Sequence, residues 1–137
     1  MNNISQKIIG SFETVAFPDF NGYEVIAKID TGAFTGALHC TKIREEETSD
    51  GPVLHFSPFD HPEVEITLTE FAVNHVKSSN GKSDSRYFID TNIALYGKVY
   101  PIVLSLADRS EMKWSVLIGR KFLRKNNFLV DVNRASK

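Results

Sequence analysis

Hydrophobic and polar residues alternate in short runs along most of the chain. In the run 23–29, Tyr23, Val25, Ala27 and Ile29 fall on one face of an extended strand, and the residues between them fall on the other, where Asp30 follows. Comparable runs occupy 8–15, 53–56, 63–68, 71–76, 86–95, 99–106, 116–118 and 128–132. Many short strands separated by turns predict an all-β barrel or sandwich.

Turn residues and one charged segment divide these runs. Segment 41–51 is rich in charge and lacks periodicity, so we expect an exposed loop there. The segment after Gly119 is predicted to form one short C-terminal helix, whose apolar side packs on the barrel. Four dipeptides are hairpin signals: Asn21-Gly22, Asp50-Gly51, Asn80-Gly81 and Tyr96-Gly97.

Size and charge limit the classes of function. The length of 137 residues fits one domain, 1–137. A formal net charge of −1 gives no support for a nucleic-acid or anionic-membrane partner, because phosphate binding needs clustered lysine and arginine. The one basic run is interpreted as a solvated helix face; it consists of Arg120, Lys121, Arg124 and Lys125.

Cysteine content and the N-terminal segment indicate a compartment. Cys40 is the only cysteine, so an intrachain disulfide is impossible and nothing suggests an oxidising environment. Residues 1–7 are polar and lack the apolar core of a signal peptide, and no run approaches the ~20 apolar residues of a membrane span. We therefore expect a soluble, cytoplasmic protein.

The candidate chemistry begins at Asp30, where the alternating strand stops. Thr31 can form a local or an interface hydrogen bond, and Gly32 tolerates backbone angles and close approaches that a Cβ would forbid. Such a turn can hold a carboxylate rigidly. Aspartate, threonine and glycine are also common turn residues, so an ordinary Asx turn is the alternative interpretation of these three residues.

A second segment favours a functional turn at Asp30 over an ordinary Asx turn. Residues 116–118 are predicted to form a short buried strand that ends at Gly119 and continues into the helix. An Asp-Thr-Gly-Ala turn followed by an aliphatic strand, glycine and a short helix is the paired signature of retropepsin-like aspartic peptidases, which this chain resembles. It is most similar to the bacterial family labelled ATP-dependent zinc proteases, found alongside glutamate ligases of the RimK type. The matching blocks are 27–33, 35–39, 81–86, 106–112 and 116–123.

The resemblance implies a closed or partly closed retropepsin-like barrel and a catalytic turn of Asp30, Thr31 and Gly32. Aspartic peptidases need two carboxylates that share one proton. Asp90, in a triplet that repeats Ile29-Asp30-Thr31, is one source of the second carboxylate. A twofold homodimer, which brings both copies of Asp30 to the axis, is the better one. The threonine would then bond across the interface, and Ile118, Gly119 and Arg120 would support the turn.

The resemblance also implies substrate contacts. Ala33 would contact substrate beside the catalytic turn, and segment 78–83 looks like a flap, with an ordinary exposed hairpin as the alternative. Gly81, Lys82 and Arg86 would face the substrate, and the two basic residues would suit an acidic one. Retropepsins commonly carry an acid just after Asp-Thr-Gly-Ala that pairs with the arginine of the helix. Phe34 and Thr35 stand there instead, so Arg120 needs another partner.

The sequence contains no motif for binding a metal ion or a nucleotide. The scattered candidates for zinc ligands have no ligand spacing, and no phosphate-binding glycine loop is present; the candidates are His39, Cys40, His55, His61 and His75. We expect no metal and no cofactor. The prediction is a homodimeric aspartic endopeptidase acting on peptides. The resemblance alone implies glutamate-rich or ligase-modified chains as substrates and a RimK-type ligase as a partner. The alternatives are a non-catalytic module that binds such a ligase or its peptide, and a zinc-dependent hydrolase.

Overall fold

A computed structural model describes residues 7–77, 83–108 and 113–135. Ten strands and one helix lie within those ranges. Their bounds are β1 Lys7–Phe17, β2 Tyr23–Ile29, β3 Ala37–Thr48, β4 Gly51–Pro58, β5 Ile66–Leu68, β6 Ala72–Lys77, β7 Ser83–Leu95, β8 Lys98–Ala107, β9 Val116–Ile118, α1 Arg120–Lys125 and β10 Phe128–Ala135. The all-β prediction with one short helix near the C-terminal end is therefore confirmed.

Six of the strands close into a barrel. Their order is β1-β2-β9-β3-β8-β7, and the pairing of Ala16 with Ala94 joins β7 back to β1. Strand β10 extends the sheet beyond β1, β6 extends it beyond β7, and β4 and β5 continue from β3. The closed or partly closed barrel predicted from the sequence is confirmed as a closed one, with extra strands attached to it.

The alternation in the sequence corresponds to the two faces of the barrel wall. In β2, Ala27 and Ile29 are buried, whereas Glu24 and Lys28 on the other face are exposed. Large side chains from several strands fill the interior, among them Ile9, Phe17, Leu38, Ile89, Ile93, Leu104 and Ile118. Burial of these apolar surfaces is the main force holding the strands in register.

Two hairpin signals have the expected backbone. Asn21 and Gly22 have φ values of 57° and 67°, and Tyr96 and Gly97 have φ values of 54° and 75°. Two successive residues with positive φ give the turn that suits the twist of antiparallel strands. Gly51, in a third signal, has a φ of 113°. The Asn80-Gly81 signal and most of the expected flap lie outside the described residues.

The expected loop at 41–51 is wrong. This segment belongs to a long β3–β4 hairpin, in which β3 runs to Thr48 and β4 begins at Gly51. Beyond Ile43 the residues of β3 are exposed on both faces, so no apolar alternation marks this part of the strand. Main-chain pairing stabilises it instead, with an ion pair of Arg44 to Glu65 at 2.6 Å and a hydrogen bond between His55 and Glu46 at 2.8 Å.

Candidate active site

Asp30 lies immediately after β2, where the chain leaves the barrel wall. Its N–H donates a 2.9 Å hydrogen bond to the carbonyl oxygen of Ile118 in the neighbouring β9. Asp30 is half-buried, whereas Thr31 and Gly32 are exposed. The main-chain bond therefore fixes the carboxylate-bearing residue to the barrel while the turn itself faces outward.

The turn closes through the aspartate side chain. The N–H of Gly32 donates to Asp30 Oδ1 at 3.0 Å, and the N–H of Ala33 donates to the carbonyl oxygen of Asp30 at 3.2 Å. Gly32 does not have a positive φ, so of the two properties expected to favour glycine here, unusual backbone angles are not the one in use. Its role is spatial, because a Cβ there would lie 3.2 Å from Asp30 Oδ1. A larger residue would crowd the carboxylate.

A crossing of two backbone segments supports this turn. A Cβ on Gly119 would lie 2.5 Å from the carbonyl oxygen of Phe34, and one on Gly36 would lie 2.4 Å from the carbonyl oxygen of Leu117. Gly36 also has a φ of 82°, where side chains are strained. Only two glycines allow the chain after the turn to pass this close to the chain after β9. Sequence reasoning gave Gly36 no role, although a second glycine so near the turn was the available signal.

The start of α1 is tied to the same turn. Gly119 offers no side-chain cap, so the first N–H groups of the helix need partners elsewhere. The N–H of Arg120 donates to the carbonyl oxygen of Ala33 at 2.9 Å, and that of Lys121 donates to that of Phe34 at 3.0 Å. The turn therefore acts as the helix cap, and the helix in turn fixes Ala33 and Phe34.

The side chain of Arg120 contacts main-chain carbonyl oxygens and an aromatic ring in place of the missing acid. Its Nη1 atom donates to the carbonyl oxygens of Thr31 and Gly32, at 3.3 and 3.2 Å, and its guanidinium lies 5.5 Å from the ring centre of Phe34. Arginine stacks well on aromatic rings. Arg120 is half-buried, so the expectation of a solvated basic face is wrong for this residue, while Lys121, Arg124 and Lys125 have more exposed positions on α1.

A groove of about 360 Å³ opens beside the turn. Ala33 and Arg86, both predicted to contact substrate, line it together. Phe34 and Phe88, neither of them predicted to contact substrate, add apolar walls, and 51% of the Phe34 residue surface is exposed. Arg86 forms no ion pair within 7–77, 83–108 and 113–135. Gly81 and Lys82 lie outside the described residues, so their relation to the groove is not defined.

Asp90 occupies a different environment from Asp30. It lies in the middle of β7, paired with Val103 of β8, and is exposed. The two residues after it bind a loop rather than a helix: Thr91 Oγ1 donates to Asp19 Oδ2 at 2.9 Å, and the backbone and side chain of Asn92 donate to the same oxygen at 3.2 and 3.1 Å. No hydrogen bond links Asp30 to another carboxylate in the described part of the chain.

The histidines and the cysteine are dispersed. His39 is buried, with its Nε2 atom 2.8 Å from Asp60 Oδ1, while His61 stacks on Tyr23 and His75 contacts Ser85. Burial raises the pKa of the Cys40 thiol to about 12, which disfavours the thiolate that a metal requires. Among the described residues, no three His, Cys, Asp or Glu side chains are grouped as metal ligands.

Comparison with known proteins places this geometry in context. A family model described as the retropepsin-like aspartic endopeptidase RimB matches residues 8–136. Proteins named probable alpha-L-glutamate ligase are 35% identical over 129 residues in Shewanella pealeana and 30% identical over 126 residues in Desulfotalea psychrophila. These matches cover 90% and 87% of this chain but only 28% and 27% of the relatives, so the chain spans about a quarter of their length.

A crystal structure has the same fold. It is that of a protein of unknown function from Legionella pneumophila, with a TM-score of 0.74 and 29% identity, and the match covers 96% of this chain and 97% of that one. Among the described residues, no helix is long and apolar enough to cross a bilayer.

Proposed function

We propose that this chain, which belongs to the RimB-like family of retropepsin-like aspartic endopeptidases, hydrolyses peptide bonds with a pair of Asp30 carboxylates supplied by two subunits. The observation that carries the proposal is the locked turn. Asp30 is bonded to β9, its carboxylate is held by Gly32, and the turn faces outward. A rigid, outward-facing carboxylate is suited to meeting its symmetry mate at a twofold axis.

The chemistry depends on the sharing of one proton. Two carboxylates a few ångströms apart do not both ionise, so one stays protonated and the pair titrates together. The ionised member takes a proton from a bound water as that water attacks the carbonyl carbon. The protonated member donates its hydrogen bond to the carbonyl oxygen, where negative charge develops. The C–N bond then breaks, and the leaving nitrogen takes up the proton that the first carboxylate took from the water, so the pair again holds one shared proton.

Charge and association suggest the substrate class. Arg86 is a cation in the groove beside the turn, and it lacks a counter-charge within the described residues. A substrate carboxylate would supply that counter-charge. The relatives named as glutamate ligases contain this region within longer chains. We therefore expect glutamate-rich or ligase-modified chains as substrates, and a RimK-type glutamate ligase as a partner.

The first test compares wild type with Asp30→Asn on glutamate-containing peptides, across pH and with or without a chelator. We expect wild type to cleave the peptides equally well with and without the chelator, and Asp30→Asn to cleave none. Chelator-sensitive cleavage would favour a zinc hydrolase instead. A wild type that binds acidic peptides but cuts none would favour a binding module.

The second test addresses the shared dyad. If each active site needs two Asp30 residues, equimolar mixing with Asp30→Asn and free subunit exchange leaves about one quarter of the dimers fully wild type. Activity per total subunit should then fall to about one quarter of the wild-type value. A fall to one half would indicate independent monomeric sites, and native mass measurement on the same mixture reports whether dimers form.

A further inference from the structure

A second hollow, of about 110 Å³, lies beside α1 and is lined by a different set of residues from the groove that holds Arg86. It is lined by Ile102 and Val103 of β8, by Asp90 of β7, and by Lys121 and Lys125 of the helix, together with Thr35. Thr35 also lines the groove beside the catalytic turn. The groove and the hollow are therefore neighbours that share one residue.

The hollow is anchored to the turn through the backbone. The N–H of Lys121 donates to the carbonyl oxygen of Phe34, next to Thr35. A shift of the helix relative to the turn would break this bond. The position of the Lys121 backbone relative to the catalytic turn is consequently fixed, as a site that reads a distant part of a substrate requires.

The charges of the hollow suit a carboxylate with an aliphatic stem. Two lysines and one aspartate leave it with a positive balance, and no ion pair joins Asp90 to either lysine in the described structure. Buried Ile102 and Phe122 supply apolar walls for methylene groups. A glutamate side chain has both parts, a short apolar stem and a terminal carboxylate.

The spacing of the lysines fits an extended acidic chain. Lys121 and Lys125 lie four residues apart on α1, on the same face and about 6 Å apart along the axis. Side chains that point to the same side of an extended peptide repeat every two residues, about 6.8 Å apart. Two alternate carboxylates of one peptide can therefore meet the two ammonium groups together.

We propose that this hollow is a second substrate subsite, in which Lys121 and Lys125 bind carboxylate side chains several residues from the bond that is cut. The proposal rests on the proposed function, because it extends the path of an acidic substrate out of the groove. Asp90 tempers the affinity by opposing the bound carboxylates. The subsite selects runs of acidic residues over isolated ones.

The test measures peptide binding separately from cleavage. Asp30→Asn protein is titrated with fluorescent deca-glutamate and with deca-glutamine, and the dissociation constants are compared. The Lys121→Gln/Lys125→Gln variant loses both ammonium groups that would pair with the peptide's carboxylates. It should bind deca-glutamate about fivefold to tenfold more weakly. The matched control, Lys98→Gln/Arg124→Gln, also removes two positive charges, one of them from the same helix. It should weaken binding less than about twofold. Lys121→Arg/Lys125→Arg should retain most of the affinity.

Two further measurements test the subsite: a variant expected to strengthen peptide binding, and the position of the bound peptide on the protein. Asp90→Asn should strengthen deca-glutamate binding about twofold, because it removes a repelling charge. Deca-glutamine binding should respond to none of these changes, and deca-glutamate should shift the amide resonances of Ile102 and Val103. Equal weakening by both double variants, or no weakening by either, would overturn the subsite.

The subsite and the peptidase can fail separately. If wild type never cleaves but binding depends on Lys121 and Lys125, the subsite stands and the peptidase fails. If wild type cleaves deca-glutamate and the Lys121→Gln/Lys125→Gln variant does so with unchanged kcat/KM, the peptidase stands and the subsite is overturned. A parent protein that binds no deca-glutamate would also overturn the subsite.

Discussion

The chain contains the triplet Ile-Asp-Thr twice, and the two copies have different structures. At 29–31 the strand ends, the carboxylate accepts the N–H of Gly32, and the turn faces outward. At 89–91 the strand continues, and the threonine is buried and donates to Asp19. The same three residues therefore form a candidate catalytic turn in one place and a wall of the barrel in the other.

The difference comes from the next residue in the chain and from the segments that cross each triplet. Gly32 follows the first, and its lack of a Cβ leaves room for the carboxylate; Asn92 follows the second and extends the ladder to Pro101. The first turn also meets Gly119 and the start of α1, whereas the second meets the loop at Asp19. A short motif thus gains the geometry of a candidate catalytic turn from its tertiary neighbours.

The largest expected effect separates the two aspartates. Asp30→Asn removes the ionisable group of the proposed dyad and should lower kcat on an acidic peptide by about a thousandfold or more. Asp90→Asn should instead lower the KM for the acidic peptide, because it removes a negative charge from the hollow beside α1. Steady-state kinetics of both variants check this pair. Loss of kcat in Asp90→Asn would make the two triplets equivalent and contradict the comparison.

The next effect concerns the crossing that only the first triplet has. A Cβ at Gly119 would meet three backbone atoms of Phe34 and Gly36 at 2.5 to 2.8 Å, so Gly119→Ala should cost about 3 kcal/mol or more of the free energy of unfolding. Urea denaturation measures it. Gly97→Ala is the matched control: its Cβ would meet nothing within 4 Å, and only its positive φ opposes alanine, at about 1 kcal/mol. Equal costs would show that the crossing tolerates movement.

A smaller effect tests the anchor of the second triplet. Asp19 Oδ2 accepts hydrogen bonds from Thr91 and Asn92, so Asp19→Ala should lower the free energy of unfolding by about 1–2 kcal/mol while kcat stays at the wild-type value. Asp19→Asn keeps an acceptor oxygen and should recover part of the loss. A fall in kcat larger than the change in folded fraction would mean that this anchor also serves the catalytic turn.

The smallest effect compares the two threonines. Thr91→Val deletes a hydroxyl that donates to Asp19 and should cost about 1 kcal/mol of stability. Thr31 is exposed, and its hydroxyl has no hydrogen bond within the described residues, so Thr31→Val should change the unfolding of the monomer by less than about 0.5 kcal/mol. It should instead weaken the dimer, which sedimentation across a concentration series detects. An unchanged dimer would remove the threonine from the proposed interface.

Much of the fold could be predicted because alternation reports burial. The strands that line the barrel have one apolar face, and β2 is the clearest case. Strand β3 was missed because its residues beyond Ile43 are exposed on both faces, so main-chain pairing and an ion pair, rather than hydrophobic contrast, hold that part of it. The partners of Arg120 could not be predicted either. They are the carbonyl oxygens of Thr31 and Gly32, and every residue has such a carbonyl whatever its side chain.

The sequence by itself determined the all-β class, the turn at Asp30 and the strand-glycine-helix unit that follows it downstream. These depend on local periodicity and on residue chemistry, which can be read one segment at a time. Only the tertiary structure decided which Ile-Asp-Thr triplet is a turn, why Gly36 and Gly119 are both needed, and how Phe34 and Arg120 pack together. Those outcomes depend on distances between residues far apart in the chain, and folding alone sets such distances.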